Sequence, residues 1–152
     1  MLNINGQDKT MKVENGFIYF KLLAGSFEIL LTLDMVVKKY QANQQIAHDF
    51  GKVAIQRGPI VYCVESMDQT EDVWKYQLIQ AGEIAYAFDD KLLNGVGVIR
   101  AEAKVANGRS ASVYQEYQPL TRRAAELKLI PYYAWANRGK NQMLVWIDQN
   151  DC

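Results

Sequence analysis

Short runs of apolar residues that alternate with polar ones make up much of the chain. Between Phe27 and Met35 every second residue is apolar, which is the two-residue period of a strand with one buried face. The run before it, Phe17 to Leu22, is aromatic and branched, and Ala24-Gly25-Ser26 separates the two runs. The pattern predicts that the two runs form an antiparallel hairpin.

Two further β-prone runs, 53–56 and 60–64, are separated by Arg57-Gly58-Pro59. Because Pro59 has no backbone N–H and Gly58 tolerates unusual dihedral angles, we expect the chain to change direction there. The polar stretch that follows, 66–72, is typical of a loop. We interpret it as a boundary between two small lobes, residues 1–66 and 67–152, or as a loop within a single domain.

The second half of the chain shows the same pattern of short β-prone runs separated by turn residues. Short β-prone runs lie at 75–79, 84–88 and 96–105, with turn residues such as Asn94-Gly95 between them. Two more runs, 127–136 and 143–147, are joined by 137–141, whose turn residues predict a hairpin. The helix formers at 120–127 leave that stretch ambiguous. The spacing predicts an all-β fold, an antiparallel β-sandwich.

Charge and hydropathy exclude several classes of partner. The 152 residues carry 17 basic and 17 acidic side chains, so the chain has no electrostatic attraction to nucleic acid or to an anionic membrane. No apolar stretch approaches the roughly 20 residues that a membrane helix needs. The first six residues do not resemble a secretory signal. We therefore expect a cytoplasmic protein without nucleic-acid or membrane partners.

No residue pattern indicates catalytic chemistry or a metal site. Glu65 and Asp68 are close in sequence, but no spacing marks a carboxylate pair for glycoside hydrolysis. His48 is the single histidine and has no evident partner, which favours an exposed loop position. Cys63 and Cys152 are too few for a disulfide framework or a zinc site, and Cys63 is expected to be buried. We expect the chain alone to be inactive and to hold no cofactor.

Aromatic and arginine side chains are the remaining candidates for ligand binding. The aromatic residues of 132–135 could stack on a sugar ring, but alternation along a strand turns some of them inward, so we favour a core role for Trp135. The candidate carbohydrate contacts are Arg57, Tyr133, Trp135 and Arg138.

Two long segments resemble the C-terminal region of glycoside hydrolase family 127, the beta-L-arabinofuranosidases. The first is GKVAIQRGPIVYCVE at 51–65, and the second is IPYYAWANRG at 130–139, followed by MLVW at 143–146. Weaker similarity at 91–96 and at Asn5-Gly6 extends the resemblance over nearly the whole chain.

The resemblance implies where the chemistry of such an enzyme lies. The family's cysteine nucleophile, glutamate acid/base and zinc belong to an N-terminal (α/α)6 barrel, and the adjacent-cysteine motif of that site is not found in this sequence. Strands that precede Asn3 in the family are also expected to be missing. Open strand edges recruit other chains, so we expect a homo-oligomer, a dimer above all.

Three hypotheses for function remain open at this point. The chain supports a catalytic barrel as its C-terminal sandwich domain, or it acts as a free-standing carbohydrate-binding module. In the third hypothesis it works with a barrel encoded as a separate chain, and that barrel performs the catalysis.

Overall fold

The computed structural model describes residues 1–108 and 112–150, so Cys152 lies outside the described residues. This part of the chain is built from short strands and 3-10 turns. The strands are β1 (Leu2–Ile4), β2 (Gln7–Lys9), β3 (Val13–Glu14), β4 (Phe17–Ile18), β5 (Ile29–Leu31), β6 (Val37–Gln41), β7 (Lys52–Arg57), β8 (Ile60–Glu65), β9 (Tyr76–Ile79), β10 (Ile84–Asp89), β11 (Val96–Ala106), β12 (Arg122–Pro131), β13 (Met143–Leu144) and β14 (Ile147–Asn150). The 3-10 turns are Ala47–Asp49, Ser66–Asp68, Val73–Lys75, Leu92–Asn94 and Tyr132–Ala134. Within these residues, no helix is both long enough and apolar enough to cross a membrane.

The chain divides into two compact units, Met1–Met35 and Val36–Cys152. This division falls after Met35, whereas the sequence pattern suggested a lobe boundary after residue 66. The strands on either side of residue 66, β8 and β9, belong to the same sheet of the second unit.

In the first unit, β1 pairs with β2 on one side and with β5 on the other, and β3 pairs with β4. The predicted hairpin between 17–22 and 27–35 is therefore wrong. Asn15 and Gly16 both have positive φ, which a tight turn requires, and this turn pairs β4 with β3 instead. The strand expected from Phe27 to Met35 shrinks to β5, whose side chains are all exposed.

In the second unit, six strands pair in a closed ring in the order β7, β8, β12, β11, β9 and β14. All neighbours in the ring are antiparallel except β9 and β14, which are parallel. β6, β10 and β13 extend the sheet beside β7, β11 and β8. The all-β prediction is confirmed, and the sheet is a sandwich-like, mainly antiparallel one.

The turn at Gly58-Pro59 reverses the chain as predicted, since Arg57 pairs with Ile60 across it. The structure resolves one ambiguity and corrects one expectation. The ambiguous helix formers belong to β12, which pairs with β11 as far as Arg122, so cross-strand pairing overrides their helix propensity. The run at 143–147 splits into β13 and β14, and β13 pairs with β8 rather than forming a hairpin with β12.

Alternation along the ring strands produces two apolar clusters. On β11, Ile99, Ala101, Ala103 and Val105 face the main core, while Val96 and Val98 belong to a second cluster. Cys63 lies in that second cluster and is fully buried, as expected. The cluster that a strand faces determines the side of the sheet on which its terminal side chains emerge. This holds for β7, β8 and β12.

Candidate functional site

Arg57 is the last residue of β7, and its side chain lies on an aromatic ring that in turn packs against backbone. Its guanidinium carbon is 3.7 Å from the centroid of the Tyr86 ring. Tyr86 in turn lies against the backbone of Gly97, where an added Cβ would be 2.5 Å from the Tyr86 ring. We call Arg57, Tyr86 and Gly97 the arginine–tyrosine stack. A guanidinium over an aromatic ring in this geometry gains a cation–π attraction.

The stack lies beside Tyr62, which is almost fully buried in the main core. Burial raises the pKa of Tyr62 to about 12, and nearby Tyr86 and Tyr133 act in the same direction while Arg57 opposes them. Tyr86 pairs with Ile99 across β10 and β11, so its side chain emerges on the main-core face. Two of the predicted contacts, Arg57 and Tyr133, thus both act electrostatically on Tyr62.

Arg138 has a different environment, because it forms ion pairs with two carboxylates. One guanidinium nitrogen donates to Asp68 Oδ1 at 3.0 Å, and the other contacts both Glu65 Oε2 and Asp68 Oδ2. Glu65 is fully buried, with 0% of its surface exposed. We call Glu65, Asp68 and Arg138 the buried ion-pair cluster. Both carboxylates are bound by an internal arginine, so neither is free to act as an acid or a base.

The pKa values of Asp68 and Arg138 favour the charged forms of these two side chains. Burial alone would raise the pKa of Asp68, but hydrogen bonds and charge from Arg138, helped by Lys128, hold it below its usual value. Hydrogen bonds with Asp68 and Glu65 likewise raise the pKa of Arg138. Burial raises the pKa of the neighbouring Cys63 thiol to about 12, with the charge of Glu65 adding to the effect. A thiol with so high a pKa is a poor nucleophile.

The cluster also fixes the loop after β12. Glu65 Oε1 accepts hydrogen bonds from the backbone N–H of Ala136 at 3.0 Å and from Asn141 Nδ2 at 3.1 Å. Ala136 has a φ of 63°, a left-handed conformation that costs a non-glycine residue free energy. The buried carboxylate therefore holds a strained turn in place.

This loop carries the aromatic residues that were expected to be partly core. Tyr132 and Trp135 stack with ring centroids 6.0 Å apart, and 38% of Trp135 is exposed. Tyr133 is 68% exposed. The core assignment for Trp135 is wrong because β12 ends at Pro131, so strand alternation no longer turns these side chains inward.

Sequence reasoning missed Tyr86 and Phe88, which lie two residues apart on β10 and are both exposed. A Cβ on Gly95 would lie 2.9 Å from the Phe88 ring, so this ring also packs against a glycine, the residue just before β11. The sequence contained one signal for these rings. Gly95 and Gly97 are two residues apart, as are the two aromatic residues of β10, the strand that pairs with β11.

A separate groove of about 540 Å³ lies beside Tyr132 and Trp146. Its other lining residues are mostly apolar, with His48, Asp49 and Lys52 as the polar ones. His48 is exposed, as expected, and its Nδ1 lies 3.1 Å from Asp49 Oδ1. Among the residues that the structure describes, no three His, Cys, Asp or Glu side chains group as metal ligands would.

Comparison with known proteins gives a consistent result. Residues 37–148 match the family model described as the glycoside hydrolase family 127 C-terminal domain, which confirms the resemblance found in the sequence motifs. The chain is 39% identical over 152 residues to the non-reducing end beta-L-arabinofuranosidase of Bifidobacterium longum, a match that covers 95% of this chain and 23% of that protein.

Solved structures show the same relationship. A GH127 beta-L-arabinofuranosidase from Geobacillus stearothermophilus superposes with a TM-score of 0.83 and 32% identity, covering 98% of this chain and 24% of that one. A second GH127 beta-arabinofuranosidase gives a TM-score of 0.76 at 32% identity, covering 98% of this chain and 23% of that one. The chain spans about a quarter of the length of the relatives that it matches.

Proposed function

The chain belongs to the glycoside hydrolase family 127 C-terminal domains, and on that premise we propose that it is a non-catalytic accessory domain of a beta-L-arabinofuranosidase-type enzyme. Its role is to support the catalytic domain and to stabilise the assembled enzyme. The observation that carries the proposal is the match to a C-terminal domain that makes up about a quarter of whole enzymes. Glu65 and Asp68 both form ion pairs with Arg138 within the chain, which supports a structural role for it.

An exchange experiment tests the proposal. The quarter of the Bifidobacterium longum enzyme that matches this chain is deleted in one variant and replaced by this chain in another. We expect the deletion to lower thermal stability and the hydrolysis of an aryl beta-L-arabinofuranoside, and the replacement to restore a large part of both. This chain alone is expected to hydrolyse nothing. Hydrolysis that follows the isolated chain through purification, or a deletion without effect, would contradict the proposal.

A second candidate function is carbohydrate binding, favoured by the exposure of Tyr133, which like Arg57 acts electrostatically on Tyr62. An exposed phenol ring and a neighbouring guanidinium can stack on and hydrogen-bond to a sugar. Trp135 and Arg138 are the other two candidate contacts, although Arg138 is already bound by two carboxylates. Titration of the chain with methyl beta-L-arabinofuranoside, followed by tyrosine and tryptophan fluorescence, tests this alternative.

Self-association and a cytoplasmic location stay predictions. The exposed side chains of β5, which pairs on one side with β1, support the first. Light scattering at micromolar concentrations should give the mass of a dimer, and a monomeric mass at every concentration would contradict it.

A further inference from the structure

Arg57 is a charged residue without an ionic partner among the described residues. It forms no salt bridge with any carboxylate in residues 1–108 or 112–150, although it is half buried. The Tyr86 ring fixes its guanidinium in place at 3.7 Å. A half-buried arginine that is held by an aromatic ring and lacks a carboxylate is ready to accept one from another molecule.

The Tyr86 ring under this guanidinium is one of several exposed aromatic rings in this part of the second unit. Tyr86 and Phe88 are 40% and 66% exposed. Tyr86 lies against Gly97 of β11 and Phe88 against Gly95 just before that strand, which limits the motion of the rings. Tyr133 shares the neighbourhood of Tyr62 with Tyr86 and Arg57. We name Arg57, Tyr86, Phe88 and Tyr133 the docking patch. Arginine, tyrosine and phenylalanine are enriched at protein interfaces, where a few of them supply most of the binding energy.

We infer that the docking patch is the surface on which the catalytic domain of a family 127 enzyme packs, and that the domain supplies a carboxylate to Arg57 within apolar surroundings. This inference rests on the proposed accessory function. About three quarters of each relative lies outside the matched region, so a partner domain accompanies this region in those proteins. A carboxylate bound by Arg57 would be fixed by planar hydrogen bonds, and the three rings would bury apolar surface around it.

Binding in trans tests the inference. The probe is the Bifidobacterium longum enzyme truncated to exclude the quarter that this chain matches, and isothermal titration calorimetry measures its affinity for the present chain. We expect Arg57→Ala and Tyr133→Ala each to weaken binding at least tenfold, the size of effect typical of central interface residues. The matched controls are Arg100→Ala, an exposed arginine paired with Glu126, and Tyr114→Ala, a highly exposed tyrosine; each should change affinity less than twofold. Thermal unfolding of every isolated variant verifies that it is folded.

The outcomes separate the two proposals. If the unaltered chain binds and the patch variants bind equally well, the docking patch is wrong while the accessory function stands. If the unaltered chain does not bind the truncated enzyme, the accessory function fails and the docking patch fails with it. If methyl beta-L-arabinofuranoside binds the chain, Arg57→Ala abolishes that binding and the affinity for the truncated enzyme is unchanged, the patch is a sugar site and the inference is overturned.

Discussion

Arg57 and Arg138 each precede a glycine in one of the two family motifs, and both were expected to contact a ligand, yet the structure gives them opposite surroundings. Arg138 contacts two carboxylates, one of them fully buried, and through them fixes a strained loop. Arg57 lies on a tyrosine ring and pairs with no carboxylate in the described part of the chain. The comparison shows that an arginine is available to a partner only where no carboxylate of the same fold pairs with its guanidinium.

The largest effect is expected when the buried ion-pair cluster loses its buried carboxylate. Glu65→Ala leaves the guanidinium of Arg138 less compensated and frees the N–H of Ala136, so we expect a loss of about 3 to 5 kcal/mol in the free energy of unfolding. Urea denaturation measures it. Glu126→Ala, which removes an exposed partner of Arg100, is the control and should cost about 1 kcal/mol or less. Equal losses for the two variants would show that burial of Glu65 has no energetic consequence.

The loss of folding stability at acid pH should depend on the same cluster. The pKa of Asp68 is lower in the folded chain than its ordinary value of 3.8, so its contribution is fully present above that ordinary value. It is lost as the pH falls through the lower pKa of the folded state. We expect Asp68→Asn to cost about 1.5 to 3 kcal/mol at neutral pH through its weaker hydrogen bonds to Arg138.

The pH dependence provides the internal check on that variant. The difference in unfolding free energy between the unaltered chain and Asp68→Asn should shrink as the pH falls below 3.8. Arg57→Ala should leave the loss of stability at acid pH unchanged, because Arg57 does not contact Asp68 in the structure. A constant difference across the whole pH range would mean that Asp68 gains no stabilisation from its charge.

A smaller effect is expected in the arginine–tyrosine stack. Gly97→Ala places a Cβ 2.5 Å from the Tyr86 ring, so the ring must shift away, at a cost of about 1 to 3 kcal/mol. In a chain that already carries Tyr86→Ala, the same glycine substitution should cost little, and a double-mutant cycle of denaturation midpoints measures this coupling. Equal costs in the two backgrounds would show that Tyr86 does not lie against Gly97.

Much of the second unit follows from the sequence, because its strands alternate and their turns carry glycine, asparagine or proline. The reversal at Gly58-Pro59 and the strands on either side of it are examples. The first unit was harder to predict. Its apolar alternation from Phe27 to Met35 is strong, yet the Asn15-Gly16 turn determines which strands pair, and the alternating side chains stay exposed.

The candidate site was predicted in part. Arg57 and Tyr133 were named as candidate carbohydrate contacts, and that role stays a prediction for both. The ion pairs of Arg138 join residues about 70 positions apart, and such a long-range pairing has no local signal in one sequence. Tyr86 and Phe88 were missed because their rings matter only once the pairing of β10 with β11 brings them against Gly97 and Gly95.

Side-by-side urea denaturation of Arg57→Ala and Arg138→Ala tests the central comparison most directly. Removing Arg138 leaves a fully buried carboxylate without its cation, so we predict a loss of about 3 to 5 kcal/mol in unfolding free energy. Removing Arg57 forfeits one half-exposed cation–π contact, so we predict a loss of about 0.5 to 1 kcal/mol. Equal losses for the two variants, or a larger loss for Arg57→Ala, would contradict the account.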